Sequence, residues 1–76
     1  MNNERRKRIS KVVAQLYDIS GELFALYQEE EEAFDSMPEN LRTSEKGEMS
    51  QEAVSTLEDS ASQIDDIISN LEDIIG

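Results

Sequence analysis

The chain has 76 residues and carries 18 acidic against 7 basic side chains, a net charge of −11. A chain this short forms one domain, whose core supplies only ~3–5 kcal/mol unless disulfides, a metal, helix packing or self-association adds to it. Because it has no cysteine and no histidine, disulfides, ordinary zinc sites, catalytic triads and thiol chemistry are excluded. We therefore expect a non-enzymatic protein with no cofactor and no bound metal.

The first predicted element is a long helix over residues of about 3–35. Its apolar side chains recur at three heptad positions, a, d and e, which is the spacing of one broad helical stripe. The columns a, d and e hold, in that order, Ile9, Leu16 and Leu23; Val12, Ile19, Leu26 and Ala33; and Val13, Ser20, Tyr27 and Phe34. Gly21 falls at an outward f position, where a glycine costs ~1 kcal/mol relative to alanine and is tolerated.

The residues 36–44 predict a turn between two helices. Four residues from Ser36 match a capping box, in which Ser36 accepts a backbone N–H and Glu39 reaches back toward the chain. Pro38 prevents a continuous helix through this point. The first helix should therefore end near Asp35, and a short helical turn should follow.

The second predicted helix covers residues of about 45–75. Ser44 is placed to cap its start, and Gly47 is tolerated in its opening turn. The columns a, d and e hold Leu57, Ile64 and Leu71; Ser60, Ile67 and Ile74; and Val54, Ala61, Ile68 and Ile75. Acidic pairs recur every seven residues at b and c on the outer surface. The sequence thus predicts an all-α fold, an antiparallel helical hairpin that forms a single domain over 1–76.

The apolar stripe is too broad for a hairpin to cover, because a seam between two helices takes two columns in seven and this stripe takes three. Tyr17 and Phe24 lie at b, outside the stripe, and widen the uncovered surface. Since burying a large side chain is worth ~1.5–3 kcal/mol, we expect a homodimer or higher oligomer, built as a four-helix or larger bundle. A second interpretation, which does not exclude the first, is a docking face for another protein formed by Tyr17, Phe24 and Tyr27, because aromatic residues anchor interfaces.

Charge is distributed unevenly along the chain. Residues 1–11 hold five bases against one acid, and the remainder holds 17 acids against two bases. The bases at the start of the first helix and the acids at the end of the second both interact unfavourably with the dipole of their own helix. Antiparallel pairing should therefore bring the basic start beside the acids that end the second helix. The alternative is an anion site for a nucleotide signal, in an oligomer that acts as a sponge. Its residues are Arg5, Arg6, Lys7 and Arg8. Direct nucleic-acid binding is not expected of so acidic a chain.

Acidic residues also cluster around the predicted turn. Glu30 occupies an a position there, so it either lies past the tight part of the bundle or is held for a partner. We hypothesise an acidic surface that engages a basic, nucleic-acid-binding surface of a host protein by imitating the phosphate backbone. It comprises Glu29, Glu30, Glu31, Glu32, Asp35, Glu39, Glu45, Glu48 and Glu52. It extends along the second helix through Glu58, Asp59, Asp65, Asp66, Glu72 and Asp73.

One acidic pattern resembles a catalytic motif. Glu29-x-x-Glu32 followed by Glu45-x-x-Glu48 is similar to the motif with which the all-α nucleotide pyrophosphatases hold Mg²⁺ against a nucleoside triphosphate. The resemblance implies a Mg-dependent hydrolase as a further alternative. The fourth acid is Glu48 where that family usually has aspartate, and bases to hold the phosphates are missing near the motif.

A longer resemblance covers most of the chain. The segment 29–53, EEEEAFDSMPENLRTSEKGEMSQEA, and the Leu-Glu-Asp heptads after it resemble a group of small acidic proteins encoded in phages and prophages of Gram-positive bacteria. The resemblance implies an inhibitor, such as an anti-CRISPR or other anti-defence protein, that occludes a host defence or nucleic-acid-processing protein. We expect a cytoplasmic location, because no apolar run approaches the ~18 residues of a membrane span and no signal-peptide core follows the charged start.

Overall fold

A computed structural model, which describes residues 1–76, shows three helices and no strand. Helix α1 spans Asn3–Asp35, the short helix α2 spans Glu39–Arg42, and helix α3 spans Glu45–Ile75. Helices α1 and α3 pack against each other, α2 packs against α3, and the rod they form measures 58 × 14 × 13 Å. The all-α helical hairpin is confirmed, and both long helices have the bounds that the sequence predicts.

The two helix starts differ in how their backbone amides are satisfied. At the start of α1, the Asn2 Oδ1 accepts the Arg5 backbone N–H at 2.8 Å, which pairs an amide that otherwise has no partner within the helix. Ser44 is the N-cap of α3 as predicted, yet its side chain makes no capping hydrogen bond. The Ser44 hydroxyl instead donates a hydrogen bond to the preceding Leu41 carbonyl, so Ser44 stabilises the turn between α2 and α3.

The predicted capping box at Ser36 was wrong. Ser36 has helical backbone angles and is the C-cap of α1, where its own N–H donates to the Glu32 carbonyl. The N-cap of α2 is Pro38, and no side-chain hydrogen bond caps that helix. A capping box requires an extended N-cap residue, and the last turn of α1 holds Ser36 in the helical region instead.

Gly47, in the first turn of α3, lies where the backbone at the end of α2 packs closely against the chain. It is buried, and a Cβ built on it would overlap the carbonyl oxygens of Arg42 and Leu41 at the end of α2. Glycine is the residue that permits such a close backbone approach. The sequence predicts only that a glycine is tolerated at position 47, whereas the structure leaves no room for a Cβ there.

We expect Gly47→Ala to lower the free energy of unfolding by about 1–3 kcal/mol, because the added methyl overpacks a backbone contact. The matched control is Gly21→Ala, where a Cβ meets nothing within 4 Å. That variant should be more stable than the parent chain by about 1 kcal/mol, the helix-propensity difference between the residues. Urea denaturation followed by circular dichroism measures both, and equal effects of the two variants would contradict the assignment.

The line along which α1 and α3 meet, here called the seam, runs along columns a and e. Val13 and Ile68, both at e, are the buried apolar residues of the structure, 6% and 2% exposed. The apolar a residues on both helices are half-buried. The large apolar residues at d are exposed on both helices: Val12, Ile19, Leu26, Ile67 and Ile74. The hairpin therefore leaves apolar area uncovered, as the breadth of the stripe indicates.

A polar contact closes the seam near the turn. The Ser50 hydroxyl, in a residue only 6% exposed, donates to the Glu30 Oε1 at 2.7 Å. Glu30 is half-buried, and a half-buried carboxylate needs such a donor to offset its lost hydration. The interpretation that Glu30 lies past the tight part of the bundle is therefore wrong, because the facing helix of the same chain holds its carboxylate in the seam.

Ser50→Ala should reduce the free energy of unfolding by about 1–3 kcal/mol, the usual cost of leaving a buried polar group without its partner. Ser55→Ala, at an exposed position on the same helix, is the control and should be neutral or slightly stabilising. The denaturant midpoints of the two variants measure this difference in stability. If Ser50→Ala matched Ser55→Ala, the Glu30 contact would contribute nothing to stability.

Candidate functional site

The seam divides the hairpin surface into two long faces. In an antiparallel helix pair, equal heptad positions of the two helices fall on the same side of the seam, as follows from the helical repeat. The hydrogen bond between Tyr17 and Glu72, both at b, shows that the two b columns share one face. The two d columns therefore share the opposite face.

The face formed by the b columns combines aromatic rings with carboxylates. The Tyr17 hydroxyl donates to the Glu72 Oε2 at 3.0 Å, and the Ser20 hydroxyl donates to the Asp65 Oδ1 at 2.8 Å. The Phe24 ring lies 6.0 Å from the Tyr27 ring, tilted by 37°. We call this surface the acidic aromatic face. Its residues are Tyr17, Phe24, Tyr27, Glu58, Asp65 and Glu72.

A groove runs between the two helices at the middle of the acidic aromatic face. Its lining comprises Phe24, Tyr27, Glu58, Ala61, Ser62 and Asp65. Phe24 is 53% exposed, so its ring is available to a partner, and carboxylates stand on the α3 side. An aromatic ring beside carboxylates is the surface chemistry that receives a lysine or arginine side chain, by cation–π contact and charged hydrogen bonds.

The carboxylates also change the protonation of the two tyrosines. The hydrogen bond to Glu72 raises the pKa of the Tyr17 phenol above its ordinary value of 10.0, and the charges of Glu72 and Asp65 act in the same direction. The neighbouring Glu31 carboxylate likewise raises the pKa of Tyr27. Both phenols therefore keep their protons to higher pH than they would in the unfolded chain.

This difference predicts alkaline destabilisation. A phenol with a raised pKa contributes stability that is fully present below pH 10, the ordinary value, and is lost as the pH rises through the folded pKa. The free energy of unfolding should thus fall above pH 10, and it should fall less in Tyr17→Phe. Urea denaturation on either side of that pH measures the slope.

Glu72→Gln is the complementary variant for the same prediction. It should bring the pKa of Tyr17 back toward its ordinary value, because the hydrogen-bonded carboxylate that raises it is gone. Phenolate absorbance during an alkaline titration follows this directly, with Tyr27→Phe as the background so that one tyrosine is observed. An unchanged titration would mean that the contact does not form in solution.

The acidic surface predicted around the turn is distributed over several sides of the rod. Glu30 lies in the seam, and Glu31 is half-buried beside the Tyr27 hydroxyl. The remaining members are exposed: Glu29, Glu32, Asp35, Glu39, Glu45, Glu48 and Glu52. In the long helices they occupy positions c, f and g, so they form a charged end of the rod instead of a single face.

The four acids of the pyrophosphatase-like pattern do not assemble into a metal site. No group of three or more carboxylates in the structure is arranged to hold a metal ion. Glu29, Glu32, Glu45 and Glu48 lie on the outer sides of two different helices. This arrangement gives the Mg-dependent alternative no support.

The basic cluster, Arg5, Arg6, Lys7 and Arg8, lies beyond the end of α3. Tyr17 is paired with Glu72, so Ala14, three residues before Tyr17, lies level with Ile75, three residues after Glu72 and the last residue of α3. Counting from the Ser20–Asp65 pair puts Ile75 level with residue 10. Surface depressions around the cluster are accordingly lined by α1 alone. The sequence-based expectation that these bases lie beside the acids ending α3 was therefore wrong.

The sequence alone does not predict that the aromatic residues and the acids of the second helix share a surface. The structure places Tyr17 and Phe24 on the same face as Glu58, Asp65 and Glu72. The signal was present in the sequence, since all five occupy position b. Their meeting became apparent only once antiparallel pairing had put the two b columns side by side.

Comparisons with protein-family models, curated proteins and solved structures find no match to this chain. Neither long helix contains an apolar stretch of the length that crossing a bilayer requires.

Proposed function

We propose that the chain is a non-enzymatic protein-binding inhibitor whose acidic aromatic face covers a basic surface of its target. The observation that carries the proposal is the groove that the exposed Phe24 ring lines together with Glu58 and Asp65. In this proposal, the acids of the second helix and the aromatic residues, which the sequence predicts as two binding surfaces, belong to one surface. Inhibition is by occlusion, because a basic surface held by this face is closed to its own ligand.

The chemistry of the face favours an arginine or lysine side chain. A guanidinium group stacked on Phe24 would gain cation–π energy and donate hydrogen bonds to the carboxylates beside it. Tyr17 and Glu72 are already paired, which holds one end of the face in place and reduces the ordering cost of binding. The regular spacing of the acids along α3 suits a row of basic groups better than a single one.

The target class follows from the resemblance to phage-encoded acidic proteins. Proteins that handle nucleic acids carry basic channels for the phosphate backbone, and such a channel is complementary to this face. The proposed target is therefore a host defence or nucleic-acid-processing protein. The net charge of −11 would accelerate its encounter with a basic surface.

The test uses a fluorescent arginine-rich peptide as the probe and fluorescence anisotropy as the readout. The parent chain should bind it, and the affinity should fall steeply between about 50 and 500 mM salt. Glu58→Gln combined with Asp65→Asn should weaken binding by up to about thirtyfold, since exposed ion pairs contribute ~0.2–1 kcal/mol each. Phe24→Leu should weaken it further by removing the ring while keeping an apolar side chain.

The matched control removes the same charge from column c, as Asp59→Asn combined with Asp66→Asn. Both residues are exposed and lie outside the acidic aromatic face, so this pair should bind the peptide nearly as well as the parent chain. An equal loss in both double variants would reduce the interaction to general charge attraction. A bacterial protein captured by the tagged parent chain and lost only with the face variant would identify the target.

A further inference from the structure

The face opposite the acidic aromatic face is apolar along most of its length. We call it the apolar face, and its residues are Val12, Ile19, Leu26, Ile67 and Ile74. Each of these five side chains is between 44% and 51% exposed. Extending the register set by the Ser20–Asp65 and Tyr17–Glu72 pairs puts Ile19 about level with Ile67 and Val12 about level with Ile74. Four of the exposed residues therefore form two consecutive layers on one side of the rod, and Leu26 lies one heptad further toward the turn.

Acidic side chains are absent from the d and g columns of α3 on this face. The six acids of α3 that follow Glu52 all lie at b and c, and its g column, which borders the apolar face, is uncharged. That column holds Met49, Thr56, Gln63 and Asn70. Depletion of charged residues is the compositional mark of the centre of a protein interface. On a chain with a net charge of −11, this is also a side on which two copies can meet without acid facing acid.

The apolar face occupies the middle of the rod. Its α1 residues, from Val12 to Leu26, span about 21 Å at ~1.5 Å per residue, on a rod that is 58 Å long and 14 Å wide. The isolated hairpin has a small core, with Val13 and Ile68 as its buried apolar residues. Burying the layers at d would supply the apolar contacts that the hairpin alone lacks.

The charged ends of the rod decide how the two copies are oriented. The basic cluster occupies one end and the exposed acids around the turn occupy the other. A parallel arrangement would place the two basic clusters together and the two acidic ends together. An antiparallel arrangement places each basic cluster beside the acidic end of the other copy, so that Arg8 lies near Glu29 of that copy, both being at position g.

We infer that two copies of this chain pair through their apolar faces to form an antiparallel four-helix bundle. Ile19 lies at the two-fold axis, facing its own counterpart, and Val12 faces Leu26 of the second copy. The acidic aromatic faces then point outward on opposite sides of the dimer. The inference goes beyond the proposed function and is independent of it, because it uses the other face and needs no target.

Analytical ultracentrifugation of the full chain tests the pairing. The parent chain should sediment as a dimer at micromolar concentration, and Ile19→Glu should halve the mass. The matched control Ala14→Glu places the same charge at an exposed f position on α1 and should remain a dimer. A parent chain that stays monomeric, or an Ile19→Glu variant that stays dimeric, overturns the inference; in the first case the face is left for a different protein.

Disulfide trapping tests the orientation and also covers the case in which Ile19→Glu fails to fold. The chain has no cysteine of its own, so each introduced thiol reports one position. Ile19→Cys should form a covalent dimer on mild oxidation, and so should a mixture of Val12→Cys and Leu26→Cys chains. Val12→Cys alone and the control Ala14→Cys should remain largely uncrosslinked. Self-crosslinking of Val12→Cys as efficient as that of the mixture would overturn the antiparallel arrangement.

Peptide binding separates the two proposals. Ile19→Glu leaves the acidic aromatic face intact, so a folded monomer should still bind the arginine-rich peptide. The double variant Glu58→Gln with Asp65→Asn should remain a dimer while losing peptide binding. Failure of one proposal therefore leaves the other standing.

Discussion

Two packed helices cover only about two columns of side chains each, and this chain carries three apolar columns on both helices. Columns a and e form the seam between α1 and α3, while the branched side chains at d stay exposed. The buried apolar core is then limited to Val13 and Ile68. The polar contacts near the turn and the two exposed faces are consequences of that narrow seam.

Near the turn, polar and backbone contacts add to the limited apolar packing. Glu30 occupies a seam position and is satisfied by Ser50 from the facing helix. Gly47 lets the carbonyls that end α2 lie directly against the start of α3. With so small a core, specific contacts of this kind carry a larger share of the stability than they do in a protein with a full interior.

The narrow seam also separates two kinds of chemistry on a rod only 14 Å wide. One face presents aromatic rings and carboxylates, which suit a basic partner. The opposite face presents aliphatic side chains bordered on α3 by uncharged residues, which suit a second copy of the chain. The acids of α3 are confined to positions away from the aliphatic face, which favours the proposed pairing of a chain with a net charge of −11.

The sequence by itself determined the two long helices, their bounds and their antiparallel pairing, because heptad spacing and Pro38 act locally. It also indicated that apolar area would remain uncovered. The tertiary structure decided that the seam uses column e instead of d, that Glu30 finds Ser50, that Gly47 is required, and that Tyr17 and Phe24 share a face with the acids of α3. Each of these depends on the rotation and register of one helix against the other, and a periodic pattern leaves both free within a stripe three columns wide.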